Sequence, residues 1–372
     1  MTKDLTTGSV TKTMLLFACP MILGNLLQQL YNVADSFIVG KFIGSDALAA
    51  VGSAYSLMTF ITSVLIGLCM GSGTIFSVCF GKGDRAKLKN SAAASFIFIA
   101  AVTVIINIIV FAAVDPILHI LNVPDDVFPL AMTYMRIYLL GLPVIFLYNF
   151  ESAIFRSAGD TKTPLIALAV SGILNVILNI FFVTVLDMTV DGVAIATVIS
   201  NLVSSVILGR KLLKSKLSVH IELNELRIDW KILWRILKIG LPAGIQSAVF
   251  SLSNIIISSA INSLGKVTMA ASSAAFNVEI MAYYILNSFG QACTTFVGQN
   301  YGAAQIDRCR KTLKLCIIEG IIITGTTMLI MLLTGKYLIG LFNNDPEVIE
   351  IGFTRLKIVY TSYIFSLLYE VM

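Results

Sequence analysis

Long apolar stretches separated by short polar segments form the pattern of this chain from residue 14 onward. We place ten such stretches at 14–38, 46–72, 92–113, 129–156, 164–186, 192–212, 235–262, 269–297, 313–334 and 350–372. Each has about 20 residues or more, and a helix of that length crosses the roughly 30 Å hydrocarbon core of a bilayer. The short alternating strands of a membrane barrel are absent from the pattern. The chain is therefore predicted to be an all-α membrane protein.

Composition supports this prediction. Hydrophobic residues make up 57% of the 372 positions, charged residues make up 13%, and the mean hydropathy is +0.89. An ordinary soluble domain carries about 25% charged residues.

The first span is too long for the apolar core of a signal peptide, and no small-residue cleavage pattern follows it, so we expect it to stay in the mature protein.

The distribution of basic residues predicts the orientation in the membrane. If the N-terminus lies inside, the inner segments hold 20 of the 26 Lys and Arg residues. Because basic residues concentrate in cytoplasmic loops, the N-terminus is predicted to be cytoplasmic in a multi-pass protein of the plasma (inner) membrane. The basic segment 209–238 also contains Trp230 and Trp234 at helical spacing, which is typical of an inner membrane surface. We expect contact with the lipid bilayer and none with nucleic acid.

A weak internal repeat appears when the chain is shifted along itself by 221 residues. The shift pairs Gly44 with Gly265 and Gly81 with Gly302, in equivalent places of two units. Since each unit has six spans, the repeats are parallel, and two such lobes around a central cavity are typical of transporters. We predict an N-terminal lobe at 1–208, a cytoplasmic linker at 209–234 and a C-terminal lobe at 235–372. Counterparts of residues 152–212 are missing, so we expect a truncated chain with ten of twelve spans; the alternative is a natural ten-span protein.

The first span contains the leading ionisable group, Asp35. Such a group costs about 2.5–3.5 kcal/mol at the centre of a membrane helix and therefore requires polar surroundings. Asn25, Gln28 and Asn32 recur at intervals that place them on the same stripe as Asp35, with Tyr31 one turn before it. The fifth and sixth spans offer neutral polar partners: Ser171, Asn175, Asn179, Thr197, Ser200, Asn201 and Ser204.

A carboxylate among neutral amides and hydroxyls can hold a proton or a sodium ion. We therefore hypothesise that Asp35 is an ion-coupling residue and that its stripe lines a cavity. The alternative is a protonated Asp35 that only joins helices through a hydrogen bond.

The C-terminal lobe has Ile256 where the repeat would place the counterpart of Asp35, but it carries a milder polar stripe with Gln246 and Asn254. Glu279, well inside the eighth span, is a candidate for attracting cationic substrate in the cavity, against a local hydrogen-bonding role that is somewhat favoured. For Glu151, Glu319 and Glu370 we favour a structural role.

No nucleotide-binding, catalytic or metal-ligand motif occurs in the sequence, so we expect neither an enzyme nor a cofactor beyond the coupling ion. The six cysteines lack zinc-ligand spacing and are interpreted as small apolar residues. Gly67 and Gly71, four residues apart, predict close contact between two helices.

Four segments resemble the multidrug and toxic compound extrusion (MATE) family. They are YNVADSFIVG at 31–40, ALAAVG at 47–52, FRSAGDTKTP at 155–164 and FVGQNYGA at 296–303. The resemblance implies two six-helix lobes, alternating access, and efflux of organic cations or amphipathic compounds in exchange for Na⁺ or H⁺.

By position, the resemblance assigns coupling to Asp35, with Gln28 and Tyr31 on its face and Asn175 and Thr197 as network partners. Many relatives have Asp where this chain has Asn179, so a scheme that needs two carboxylates is in doubt.

Two other functions remain as alternatives. A lipid-linked oligosaccharide flippase of the same superfamily would require several cavity Arg or Lys residues for phosphate groups. A non-transporting membrane scaffold or an intramembrane enzyme belongs to a different class, and the enzyme would need a nucleophile with a base or a metal cluster. We expect small cationic or amphipathic substrates and a monomer.

Overall fold

The computed structural model describes residues 4–120, 123–215, 229–342 and 345–371. Within these residues the chain forms ten α-helices: Val10–Ile38 (α1), Ser45–Lys82 (α2), Arg85–Ile120 (α3), Phe128–Ser157 (α4), Lys162–Thr184 (α5), Val190–Lys214 (α6), Trp230–Asn262 (α7), Lys266–Gly302 (α8), Ile306–Gly340 (α9) and Pro346–Val371 (α10). Each predicted span corresponds to one helix, which confirms the all-α fold. The part of the predicted linker at 216–228 lies outside the described residues.

The helices extend beyond the apolar stretches, because hydropathy marks the membrane core and not the polar turns at each end. Eight of the described helices are long and apolar enough to cross a membrane; α8 and α10 are not among them. A glycine ends α2: Gly83 adopts φ +70°, and the N–H groups of Gly83 and Asp84 bond back to Phe80 and Cys79. This is the ending that glycine favours after a helix.

Buried apolar side chains form two main cores. The first contains residues of α2 to α6 and the end of α1, and the second contains residues of α8, α9 and α10. The first half of α1 belongs to the second core, where Met14 is fully buried and the Phe17 ring meets Phe296 edge-on at 5.6 Å. One helix therefore joins both cores, with Pro20 between its halves.

Glycines bring helices of the two lobes into contact along their length. The Cα atoms of α2 and α7 approach so closely that a Cβ on Gly67 or Gly71 would overlap the backbone of Gly244 or Gly240. The predicted close contact at Gly67 and Gly71 is confirmed, and its partner is α7. Glycine permits this approach because it has no side chain to hold the two backbones apart.

The predicted cytoplasmic end of the bundle is closed by backbone contacts between α2 and α8. A Cβ on Gly81 would overlap the carbonyl oxygen of Gln299. The Gln299 side chain donates to the carbonyl of Ser157 at 2.6 Å and accepts from the N–H of Leu5 at 3.1 Å. Leu5 itself is fully buried in the second core. The segment before α1 is therefore held between the two lobes.

Candidate ion-coupling site

Asp35 lies in the last turn of α1 before a π-helical turn at Val39–Ile43, in the half of α1 away from the predicted cytoplasmic end. Its side chain is buried, with 8% of its surface exposed. Asn179 of α5 donates from Nδ2 to Asp35 Oδ1 at 2.5 Å. Among the described residues no ion pair involves Asp35. The carboxylate therefore depends on neutral dipoles for its solvation.

A chain of amide and hydroxyl groups continues from Asp35 into the N-terminal lobe. The same Asn179 Nδ2 contacts Asn175 Oδ1 at 3.0 Å, and Asn175 Nδ2 lies 3.4 Å from Thr197 Oγ1. Both asparagines are completely buried, and they lie four residues apart on α5, so they share one face of the helix. The structure thus brings together Asp35, Asn175, Asn179 and Thr197, as the sequence predicted.

One buried oxygen in this network has no described partner. The side-chain oxygen of Asn179 is enclosed and makes no hydrogen bond. Buried polar atoms are rarely left unsatisfied, because the loss of hydration costs about 1–3 kcal/mol. An acceptor next to a carboxylate is suited to a cation, since Na⁺ and protonated groups both require oxygen partners. No group of three or more metal-ligating side chains was found in the described part of the chain.

Two tyrosines, Tyr31 and Tyr134, lie near the carboxylate, and Tyr138 lies beside them. Tyr31 also lies beside Thr197. Tyr134 and Tyr138 of α4 are buried, at 4% and 6% exposed. The sequence analysis did not identify these two residues, although their spacing of four on one helix face was a usable signal.

The predicted stripe along α1 divides between the two lobes. Asn25 donates to Ser288 of α8 at 3.0 Å, which is a contact with the C-terminal lobe. Gln28 is exposed, and Asn32 is half-buried with its carbonyl accepting from Ser36. The structure does not join Gln28 or Asn32 to the Asp35 network. A helical stripe defines a direction but does not show which neighbouring helix it meets.

The predicted residues of the C-terminal lobe lie in other environments. Glu279 pairs with Arg355 of α10 at 3.1 Å, and Tyr363 donates to its other oxygen at 3.3 Å. This partner changes the expectation for Glu279, because its negative charge is compensated. Gln246 is exposed beside Tyr369, and Asn254 is half-buried.

Comparison with known proteins gives three consistent similarities. The family model described as MatE matches residues 20–181 and 242–372. The chain is 30% identical to the probable multidrug resistance protein YpnP of Bacillus subtilis (strain 168), covering 97% of this chain and 81% of that protein. It is 26% identical to the multidrug export protein MepA of Staphylococcus saprophyticus, covering 96% and 79%.

The fold is shared with solved structures. A MATE family multidrug resistance transporter in an outward-facing conformation superposes with a TM-score of 0.91 at 24% identity, over 99% of this chain and 82% of that one. The shared architecture covers all ten helices described above.

Proposed function

The chain belongs to the MatE family, and from this premise we propose that it exports organic cations or amphipathic drugs in exchange for Na⁺ or H⁺ by alternating access. Asp35 is the residue at which the ion couples to transport. The observation that carries the proposal is the buried Asp35 carboxylate, solvated by the neutral Asn179 amide and lacking a described counter-charge. The site lies in a multi-pass membrane protein whose N-terminus we place in the cytoplasm, acting as a monomer.

The energetics of such an exchange are favourable. Moving one positive charge outward against about 100 mV costs about 2.3 kcal/mol, and moving one inward returns the same amount. An exchange of one cation for one ion is therefore electroneutral. The chemical gradient of the coupling ion then drives efflux, at about 1.4 kcal/mol for each tenfold ratio.

A change of charge at Asp35 is transmitted to the two lobes through α1. Ion binding changes the charge at Asp35, in the half of α1 that contacts α5, while the other half packs in the second core. Thr161, in the turn before α5, also donates to the carbonyl of Phe17 at 3.0 Å, close to Pro20. A change of packing at Asp35 therefore acts on both lobes, and we place the bend near Pro20.

The small number of unpaired basic groups near the helix bundle's described contacts favours a cationic substrate over a phosphate-bearing lipid. A flippase requires unpaired basic groups for phosphate. Arg355 is paired with Glu279. Arg156 donates to the neutral Gln291 at 3.1 Å and keeps its charge, but a flippase would need several such groups.

The test is ion-driven efflux from vesicles that contain the protein, measured separately with a sodium gradient and with a proton gradient. We expect Asp35→Asn to abolish efflux under whichever gradient drives the unchanged protein. Asp125→Asn, in the exposed α3–α4 loop, is the matched control and should retain efflux. Gradient-driven efflux at the unchanged rate in Asp35→Asn would refute the role of Asp35.

A further inference from the structure

Basic and aromatic side chains share one exposed face at the start of α7. We call it the α7 basic face, and it consists of five exposed residues: Trp230, Lys231, Trp234, Arg235 and Lys238. At 3.6 residues per turn, these positions fall within an arc of about 140° around the helix. The opposite side packs into the protein, where Ile232 and Ile236 are 6% and 0% exposed. The outer side of the helix start therefore combines three positive charges with two indole rings.

The three positive charges of this face are not compensated within the described chain. Among the described residues no ion pair involves Lys231, Arg235 or Lys238. The acid beside them, Asp229, accepts through Oδ1 from the backbone N–H groups of Lys231 at 2.9 Å and Ile232 at 3.3 Å. Its carboxylate caps the first turn of the helix. The basic face thus keeps an excess of positive charge that can attract an external anion.

The α7 basic face lies where the helix enters the membrane. The part of α7 that is apolar enough to cross a bilayer is Trp230–Asn254, and no charged residue occurs between Lys238 and Lys266 in the sequence. Trp230 and Trp234 are 74% and 70% exposed, and exposed tryptophans prefer the level of the lipid headgroups. The three charges are therefore placed at headgroup level, at the end of the bundle that we predict to be cytoplasmic.

An apolar groove continues from this face along the membrane-spanning part of α7. The groove has a volume of about 340 Å³, and its lining includes Phe60, Val64, Leu241, Ile245, Ala248 and Leu252. The lining residues of α7 lie within the same arc of the helix as the basic face. From Leu241 to Leu252 the helix rises about 16 Å, close to the roughly 15 Å of hydrocarbon in one leaflet. The groove therefore has the direction, the depth and the chemistry for one acyl chain.

The groove also joins the two lobes. Phe60 and Val64 belong to α2 of the N-terminal lobe, and the other lining residues belong to α7 of the C-terminal lobe. The same two helices meet at Gly67 and Gly244, where a Cβ on Gly67 would overlap the α7 backbone. An occupant of the groove therefore contacts both lobes beside their closest approach.

We propose that the α7 basic face and the α2–α7 groove together bind one anionic phospholipid. Lys231, Arg235 and Lys238 contact the headgroup phosphate, and one acyl chain lies in the groove. Basic groups at a membrane surface attract anionic lipid by about fivefold each. The site lies on the outer surface of the bundle, so it is a place for a bound membrane lipid and not for a transported one. It does not depend on the efflux proposal.

The two tryptophans of the basic face make the site directly observable, because the chain contains no other tryptophan. The full chain is reconstituted in phosphatidylcholine with a small fraction of phospholipid whose acyl chains carry bromine, which quenches indole fluorescence on contact. Brominated phosphatidylglycerol is expected to bind about fivefold or more tightly than brominated phosphatidylcholine. Salt should reduce this preference, because it screens exposed charges. Equal quenching by the two lipids overturns the proposal.

Charge variants test the headgroup contact. The triple variant Lys231→Gln, Arg235→Gln and Lys238→Gln should bring the preference for phosphatidylglycerol to within about twofold. The matched control is a triple variant in the last turns of α6, at the same end of the bundle: Arg210→Gln, Lys211→Gln and Lys214→Gln, all exposed. The control should keep the preference. Equal losses in the two triple variants overturn the proposal, because the overall surface charge would then attract the lipid.

A groove variant tests the acyl-chain contact separately. Ala248→Phe fills the groove and leaves the basic face intact, and it should weaken phosphatidylglycerol binding by about threefold or more, because apolar contact is lost. Ile108→Phe, at an exposed position of α3, is the control and should bind normally. Unchanged binding in Ala248→Phe overturns the proposal. Displacement of the brominated lipid by glycerol phosphate also overturns it, because a headgroup without chains would then be sufficient.

Discussion

Asn179 Nδ2 lies 2.5 Å from Asp35 Oδ1 and is the described link between the carboxylate and the buried amides of α5. Asn179→Ala removes this donor. We expect the free energy of unfolding to fall by about 1.5–3 kcal/mol, because hydrogen bonds to charged groups contribute that much. Denaturant unfolding in detergent measures this loss, and vesicle efflux measures the ion dependence of the variant.

Asn179→Asp tests the same contact in the opposite direction. A second carboxylate adds negative charge next to Asp35, and two such groups cannot both be ionised without a cation or proton between them. We expect efflux to persist and the half-saturating concentration of the coupling ion to decrease. Asn277→Ala serves as the control, because Asn277 is half-buried on α8 and donates to the Ser273 carbonyl of its own helix at 3.0 Å. An unaltered ion dependence in both Asn179 variants would contradict the assigned network.

The Glu279–Arg355 pair gives a stability prediction. The two side chains are 15% and 25% exposed, and Arg355 also bonds to Ser272. Arg355→Ala should cost about 3–5 kcal/mol, because it leaves a largely buried charge without its partner. The double variant Glu279→Gln with Arg355→Gln should lose less than the two single variants together.

Lys336→Ala provides the comparison, since Lys336 and Glu350 form a pair that is 55% and 59% exposed. Solvent screens such a pair, and little change in unfolding is expected. Equal losses at the exposed and buried pairs would show that Arg355 acts through something other than its charge.

The α2–α8 closure predicts opposite effects for two glycines of the same helix. Gly81→Ala forces a Cβ against the Gln299 carbonyl, so the helices must separate at that end. We expect a loss of about 1–3 kcal/mol from overpacking and faster amide exchange in residues 296–302. Gly52→Ala meets nothing within 4 Å and should be neutral or stabilising by up to about 1 kcal/mol. Amide exchange of residues 296–302 at the unchanged rate in Gly81→Ala would argue against a tight closure.

The contacts of the segment before α1 lead to a fifth prediction. Leu5 is fully buried, Arg308 donates to the Thr7 carbonyl at 2.9 Å, and Asn300 donates to the Leu5 carbonyl at 3.3 Å. Leu5→Ala should release this segment and speed cleavage by trypsin at the exposed Lys12, because the lost burial favours local opening. Thr7→Ala keeps the backbone contacts and should be cleaved at the unchanged rate. If both variants are cleaved alike, the Leu5 side chain does not hold the segment.

Hydropathy and spacing predicted the ten helices and the shared face of Asn175 and Asn179 on α5, because membrane length and helix periodicity are local properties of the sequence. The approach of that face to Asp35, 144 residues away, was inferred from the need of a buried acid for polar neighbours and from the family resemblance. Contacts between distant segments were not predictable in this way. Leu5 meets Gln299 across 294 residues, and Arg355 meets Glu279 across 76. Such partners depend on which helices are neighbours, and a single sequence contains no direct record of that arrangement.

The division of α1 between two cores has a consequence for how the protein is made. Met14 and Phe17 are synthesised well before their neighbours in the second core, which belong to α8, α9 and α10. Domains that emerge first usually fold first. Here the first half of α1 must wait for α8, α9 and α10, so the two lobes reach their final packing together and not one after the other.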